Sequence, residues 1–210
     1  MLRNTDIRNT AGDGVVVRWL ADTLELAFAR SNEPLAVTFP GGSTPGPIIQ
    51  ALLGERLPWD RLVVWPNDER DVPADHEASN TGALRRLLEP AGAQVATLTV
   101  MERIPRFALS WIGMGADGHI ASLFPNTDPR ADDERKVVRI TPDPLPHDAP
   151  YERTSLTIPA LIDADAIVIV ARGAQKRAVI DAAVAGRNDL PIHRFLKAAE
   201  EADRAVTIFT

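Results

Sequence analysis

The sequence predicts an α/β protein in which helices flank a doubly wound, largely parallel sheet. Two observations predict this class. Short runs rich in β-branched residues alternate with segments whose apolar residues recur at helical spacing, as in β-α-β units. The chain has 210 residues, of which 45% are hydrophobic and 25% charged, which suits one compact core. We therefore expect residues 1–210 to form a single domain with a Rossmann-like arrangement.

The elements follow in chain order from local patterns. Apolar residues at helical spacing, Leu20 and Leu24 among them, predict a first helix over residues 15–30, with Asp13 placed as its N-cap. Further helices are predicted to start near residues 44–47 and to cover residues 81–88 and 174–184. Strands are predicted over residues 35–39, 61–65, 95–100, 107–112, 136–140 and 166–171, with a last strand in 204–210. The segments 66–80 and 141–150 are predicted to be loops.

Composition excludes several classes of function. The absence of cysteine excludes disulfides, thiolate zinc sites and a cysteine nucleophile. The net charge of −6 argues against a general nucleic-acid binder, although local cations can still hold an anionic small molecule. The polar first residues lack the apolar core of a signal peptide, and no apolar window is long enough to span a membrane. We expect a cytoplasmic protein without nucleic-acid or membrane partners.

Sheets of this kind bind ligands beyond the carboxyl ends of their strands, so the residues after each strand are the candidates for chemistry. The first such segment is PGGSTPGP, residues 40–47. Gly42 allows a tight turn, Ser43 and Thr44 offer hydroxyls, and a helix N-terminus follows, which together can form an anion cradle. The same pattern also fits a capped turn without a ligand, and this segment alone does not separate the two.

The second and third segments carry the candidate acids and bases. Asp68-Glu69-Arg70 follows a strand, and its place at the ligand edge is what favours a site over a solvated loop. In FALSWIGMGADGHIASLFPN, residues 107–126, glycines surround Asp117 and His119. A histidine can act as a general base and a nearby carboxylate can orient it, whereas a lone histidine usually only hydrogen-bonds within its loop. A metal site is disfavoured, because no two histidines stand at ligand spacing.

The fourth segment supplies two cations, Arg153 in YERTSLTIPAL and Lys176 in ARGAQKRAV. Lys176 falls in the first turn of a predicted helix, where a positive charge opposes the helix dipole. A bound anion between the two cations would explain this choice. A solvated lysine is the alternative that Lys176 alone would favour.

Together these segments resemble the 6-phosphogluconolactonase family, within the larger group that includes glucosamine-6-phosphate deaminases. The motifs GGSTP, NDERDVPADHEASN, IGMGADGHIASLFP, ERTSLTIPAL and GAQK occur in the order typical of that family and span about residues 36–180. The third is long and specific, whereas GGSTP alone would be weak. The resemblance implies hydrolysis of 6-phospho-D-glucono-1,5-lactone to 6-phospho-D-gluconate, the second step of the oxidative pentose phosphate pathway, with no cofactor and no metal.

The resemblance also implies roles for individual residues. His119 would be the general base that activates water, and Asp117 would orient it. Arg70 would be a cation near the reacting end of the sugar, and Asp68 would help to position that region. The phosphate-binding set would be Gly42, Ser43, Thr44, Arg153 and Lys176, and the pair Ser79-Asn80 would have a supporting role.

The chain departs from the family pattern at its C-terminus, which is expected to stop soon after the last strand, and at two internal places. Residues 92–105 are short where relatives usually carry an extra helix, and Asp71 stands where an aromatic residue is common. An amino-sugar phosphate deaminase or isomerase of the same fold is the nearest alternative, but Arg70 replaces the tyrosine usual there. A catalytically silent sugar-phosphate sensor is disfavoured because both Asp117 and His119 are retained. A scaffold role would require the four segments to coincide by chance.

Overall fold

A computed structural model of the protein describes residues 2–9, 12–147 and 149–210. The strands are β1 (Thr5–Arg8), β2 (Leu35–Phe39), β3 (Leu62–Pro66), β4 (Asp68–Arg70), β5 (Gln94–Val95), β6 (Phe107–Gly113), β7 (Val137–Ile140), β8 (Arg153–Leu156), β9 (Ala164–Val170) and β10 (Val206–Phe209). The helices are α1 (Asp13–Arg30), α2 (Pro45–Leu52), α3 (Asn80–Leu88), α4 (Ile158–Ile162), α5 (Ala174–Val184) and α6 (Pro191–Glu201).

The described residues form one seven-stranded parallel sheet, in the spatial order β1-β10-β9-β6-β2-β3-β5. From β2 the chain moves outward through β3 and β5, and then returns to the other side of β2 as β6. The contact between β2 and β6 is therefore the topological switch point, where open α/β sheets bind ligands. The predicted fold class is confirmed.

Two apolar clusters cover the two faces of this sheet. Along β9, Val168 and Val170 pack with residues of α1, α2 and α3, whereas Ile167 and Ile169 pack with residues of α4, α5 and α6. This alternation follows from the two-residue period of a strand. Because both faces are buried, the central strands are continuous apolar runs, which is why the sequence patterns identified them.

A second, three-stranded antiparallel sheet in the order β4-β8-β7 lies apart from the main sheet. One prediction is wrong here, because residues 68–70 form strand β4 and are not part of a loop. The predicted strand at 136–140 is confirmed as β7, and it belongs to this small sheet. Both depend on pairing with β8, a partner more than ten residues distant along the chain, which local pattern does not reveal.

The other differences are smaller. Gly12 is the N-cap of α1, and Asp13 is its first residue, which still places a negative charge where the helix dipole favours one. Of the strand predicted over residues 95–100, only Val95 is in a strand, and it pairs with β3 together with Gln94 as β5. Strands β1 and β8 and helices α4 and α6 were not predicted. Among the described residues, no helix combines the length and apolar character needed to cross a membrane.

Candidate active site

A cavity of about 330 Å³ lies at the carboxyl edge of the main sheet. It is lined by the segments that follow four adjacent strands, β3, β2, β6 and β9. Its volume is within the range of natural small-molecule sites. The predicted site residues in its lining are Gly42, Ser43, Thr44, Asp68, Arg70, His119 and Lys176.

His119 and Asp117 lie in contact on the turn after β6. Nδ1 of His119 is 2.6 Å from Oδ1 of Asp117, and the backbone N–H of His119 donates to the same oxygen at 3.2 Å. The backbone N–H of Gly115 donates to the carbonyl of His119 at 2.9 Å and closes the turn. A Cβ atom on Gly115 would lie 2.2 Å from the imidazole ring, so only glycine fits there. The contact occupies Nδ1 and leaves Nε2 for a ligand or water.

The pKa of Asp117 lies below its ordinary value. Partial burial by itself raises this pKa, but the hydrogen bond from His119, the charge of the protonated imidazole and backbone donors outweigh it. Asp117 is therefore ionised at neutral pH. An ionised Asp117 favours the tautomer of His119 that carries its proton on Nδ1, which leaves a lone pair on Nε2.

Asp68 connects three segments of the site and is itself buried. Its Oδ2 accepts a hydrogen bond from Oγ of Ser122 at 2.5 Å, and its Oδ1 accepts one from Nδ2 of Asn80 at 3.1 Å. Asn80 also donates to the backbone carbonyl of Asp68 at 2.8 Å. The backbone N–H of Ser122 donates to Oγ of Ser155 on β8. These bonds join the His119 turn, β4, β8 and the start of α3 into one unit.

Glu69 faces away from the cavity and holds the N-terminus of α3. Its Oε1 accepts hydrogen bonds from the backbone N–H groups of Arg70 and Asn80, at 2.7 and 2.8 Å. Its Oε2 accepts them from Thr81 N–H at 2.7 Å and from Oγ of Ser79 at 3.0 Å. The positive end of the helix dipole also stabilises a carboxylate at this position. The role of Glu69 is thus to fix the position of Asn80.

Arg70 lies half-buried at the cavity. Its Nη1 donates to the backbone carbonyl of Ala78 at 2.7 Å, which orients the guanidinium. Its Nε is buried and has no hydrogen-bond partner in the described part of the chain. A fixed guanidinium with donors to spare fits an anionic or carbonyl oxygen of a ligand.

The turn between β2 and α2 approaches the ligand space closely. Gly42 has φ of +94°, a conformation that favours glycine, and a Cβ atom on Gly41 would lie 1.9 Å from Oδ1 of Asn80. Thr44 is the N-cap residue of α2, yet its side chain makes no capping hydrogen bond. The hydroxyl of Thr44 and the backbone N–H of Gly46 are therefore the donors that this turn offers to an anion, because Pro45 and Pro47 have no N–H.

Lys176 lines the cavity from the first turn of α5, as its position in the sequence suggested. It forms no salt bridge with any carboxylate of the described residues. The structure thus brings this cation and the turn at Gly42 to one cavity.

Arg153 does not line the cavity. It is 3% exposed, its Nη2 donates to the carbonyl of Ala149 at 2.7 Å, and it lies opposite Arg70 in the small sheet. Its guanidinium carbon is 6.0 Å from the ring centroid of Phe124, and that ring lies 4.6 Å from the imidazole of His119. Arg153 is placed behind the His119 turn, and its predicted contact with phosphate stays a prediction.

Asn67 and Ser122 are functional candidates that the sequence patterns missed. Asn67 lines the cavity, and Ser122 anchors the His119 turn through Asp68. Both stand next to charged or catalytic-type residues, in segments that were already singled out. Their positions at the ends of β3 and of the His119 turn were the available signal.

Comparison with known proteins agrees with this geometry. A family model described as glucosamine-6-phosphate isomerases/6-phosphogluconolactonase matches residues 14–101 and 88–204. The chain belongs to this family. It is therefore an enzyme of the glucosamine-6-phosphate isomerase/6-phosphogluconolactonase family, and the resemblance inferred from its motifs is confirmed.

The similar proteins within this family are named 6-phosphogluconolactonase. A 6-phosphogluconolactonase of Caulobacter vibrioides is 35% identical, over 85% of this chain and 84% of that protein. One of Helicobacter pylori is 32% identical, over 81% of this chain and 82% of that protein. The crystal structure of a 6-phosphogluconolactonase from Shewanella baltica has a TM-score of 0.83 and 24% identity, covering 100% of this chain and 98% of that one. At that identity the structural likeness shows a shared fold.

Proposed function

We propose that this chain is a 6-phosphogluconolactonase, which hydrolyses 6-phospho-D-glucono-1,5-lactone to 6-phospho-D-gluconate in the oxidative pentose phosphate pathway, in the cytoplasm. The observation that carries the proposal is the 2.6 Å contact between Nδ1 of His119 and Oδ1 of Asp117 at a cavity that also holds Arg70 and Lys176. A general base and two cations that line the same cavity suit a substrate that is both an ester and a phosphate. The relatives named above carry this activity in their names.

His119 is the general base of the proposed reaction. Its Nδ1 proton faces Asp117, so Nε2 accepts a proton from water while the water oxygen attacks the lactone carbonyl. The imidazolium that forms is stabilised by the ionised Asp117. Attack converts the carbonyl into a tetrahedral oxyanion.

Collapse of this oxyanion breaks the bond between the carbonyl carbon and the ring oxygen. The ring oxygen takes the proton back from Nε2 and leaves as a hydroxyl group, so His119 returns to its starting state. The carboxylic acid product ionises and releases one proton to solvent. Arg70 supplies the positive charge nearest to the reacting end, and Asp68 holds the strand that carries Arg70. The steps use only water and side chains of this chain.

The phosphate is the anchor of the substrate. Gly42, Ser43 and Thr44 offer backbone and hydroxyl donors at the start of α2, and Lys176 faces them from α5. Arg153 is proposed to support this set from behind the His119 turn. Binding a remote phosphate holds the lactone in register, so this binding free energy lowers the barrier at the carbonyl.

The test is proton release from freshly generated 6-phosphoglucono-δ-lactone, with spontaneous hydrolysis subtracted, for the wild-type chain and His119→Ala. We expect fast turnover by the wild type and a loss of about 10²- to 10⁴-fold in kcat for the variant. His147→Ala is the matched control, because that histidine lies in the 141–150 loop outside the cavity lining. Equal wild-type and blank rates would sink the proposal, and glucosamine 6-phosphate would then be assayed for deamination.

A further inference from the structure

Asn67 is a buried polar residue at the cavity that the mechanism above does not use. Its side chain is fully buried, at 0% exposure, and it follows β3 directly. Its backbone N–H donates to the carbonyl of Phe39 at 3.0 Å, and its carbonyl accepts from Leu156 N–H at 2.9 Å. Because both backbone groups are held, the position of the side chain is fixed by the fold.

The two ends of the Asn67 amide differ. Nδ2 donates to Oγ1 of Thr38, a residue that is also at 0% exposure, at 2.8 Å. Oδ1 has no hydrogen-bond partner within residues 2–9, 12–147 and 149–210. Buried polar atoms without partners are rare in folded proteins and costly, so each one calls for an explanation. A ligand in the adjoining cavity provides one, because Asn67 belongs to its lining.

We propose that Oδ1 of Asn67 accepts a hydrogen bond from a ring hydroxyl of the bound lactone and makes the enzyme select for that hydroxyl. This inference rests on the proposed function. A carbonyl oxygen only accepts hydrogen bonds, so it does not bind a phosphate oxygen or the lactone carbonyl. The donors that the lactone offers are its hydroxyl groups on C2, C3 and C4. Asn67 is thus a specificity-determining residue, distinct from the base and from the phosphate-binding set.

The alternative for Asn67 is a purely structural role through Thr38. Mutations can distinguish the two roles, because the structural role uses Nδ2 of the amide and the proposed role uses Oδ1. Thr38→Val removes the hydroxyl at the Nδ2 end and leaves Oδ1 in place. Asn67→Leu removes both ends at similar volume, and Asn67→Asp keeps an acceptor while it removes the Nδ2 donor.

The experiment measures kcat/KM for the parent lactone and for its 2-deoxy, 3-deoxy and 4-deoxy analogues. We expect the wild type to prefer the parent over one of the three by about 10- to 100-fold. In Asn67→Leu, kcat/KM should fall by about the same factor for the parent lactone and stay unchanged for that analogue. The variant should therefore no longer prefer the parent. Thr38→Val and Asn67→Asp should keep the preference, and thermal melts confirm that each variant is folded.

Two results would overturn the inference while the proposed function stands: an unchanged preference in Asn67→Leu for all three analogues, or a preference lost in Asn67→Asp. The second result would assign a donor, and not an acceptor, to this position. If Asn67→Leu does not fold, Asn67→Ala takes its place. If the wild type hydrolyses the parent lactone no faster than the blank, both proposals are wrong. This rate is therefore measured before any variant is compared.

Discussion

Oγ of Ser122 donates a hydrogen bond to Oδ2 of Asp68 at 2.5 Å, across 54 positions of sequence. The bond ties the turn that carries His119 to strand β4, which carries Arg70. The proposed base and the proposed cation are therefore held by one buried connection. One carboxylate oxygen of Asp68 accepts the hydrogen bond from Ser122 and the other accepts one from Asn80, so Asp68 positions both segments.

The Ser122–Asp68 bond gives the first prediction. Ser122→Ala removes a charge-assisted hydrogen bond and leaves a buried carboxylate oxygen without it, so we expect a loss of about 1.5–3 kcal/mol in the free energy of unfolding and a lower kcat. Urea unfolding and lactonase kinetics measure the two effects. Ser122→Thr keeps the hydroxyl and should restore most of both. A double-mutant cycle with Asp68→Asn that shows purely additive losses would contradict a direct interaction.

The second prediction concerns Asp117. Asp117→Asn removes the negative charge that orients His119 and stabilises its protonated form, so kcat should fall by about 10²- to 10³-fold, with a smaller change in KM. Asp189→Asn is the control, because Asp189 is an exposed carboxylate that pairs with Arg194, and it should leave kcat unchanged. Equal kcat values for Asp117→Asn and the wild type would exclude this role.

The lowered pKa of Asp117 gives a pH dependence with a definite sign. Because its pKa is lower in the folded protein than its ordinary value of 3.8, the stabilisation from this carboxylate is fully present above that value. It is lost as the pH falls through the lowered pKa. Thermal melts of the wild type and Asp117→Asn should therefore differ at pH 5 and converge towards pH 2. A difference that grows on acidification would reverse the sign.

The third prediction tests Glu69 as a structural carboxylate. Glu69→Gln replaces one acceptor oxygen by a donor that faces the N–H groups of α3, so the free energy of unfolding should drop by about 1–3 kcal/mol. Urea unfolding measures it. Glu77→Gln is the matched control in the same loop, where the side chain is exposed, and it should change stability by less than about 0.5 kcal/mol. Comparable losses in the two variants would contradict the assignment.

The fourth prediction separates phosphate binding from chemistry. Lys176→Ala should raise KM for the phosphorylated lactone by about 10- to 100-fold, because it removes a charge-assisted contact with the anchor. On unphosphorylated glucono-δ-lactone the same variant should match the wild type. Lys197→Ala, which changes an exposed lysine on α6, controls for loss of positive charge. A Lys176→Ala variant with unchanged KM would place the phosphate elsewhere.

Much of the fold could be predicted because the main sheet is buried on both faces. The runs at β2, β6 and α5 were identified within one residue of their observed bounds, since apolar continuity and helical spacing are local properties. Strand β4 was missed because its residues, Asp68 to Arg70, are all charged. Its pairing with β8 depends on residues more than 80 positions away.

The candidate site likewise contains residues that the sequence identified and residues that it did not. The side chains for which we propose a role in the reaction or in phosphate binding, His119, Asp117, Arg70 and Lys176, could be selected from motifs at strand ends. Asn67 was missed although it directly follows β3, because its unpaired oxygen exists only once Thr38 has taken the other end of the amide. Arg153 was grouped with the phosphate-binding residues by the family resemblance, and its antiparallel pairing with Arg70 could not be inferred from that motif.

The sequence by itself determined the class of fold, the order of the strand-end segments and the family, because these depend on local periodicity and on contiguous motifs. Only the tertiary structure decided which of these segments share a cavity, which carboxylates brace the site and which polar atom is left for a ligand. Those properties depend on distances between residues far apart in the chain, such as Ser122 and Asp68, and such distances are set by packing of the whole sheet.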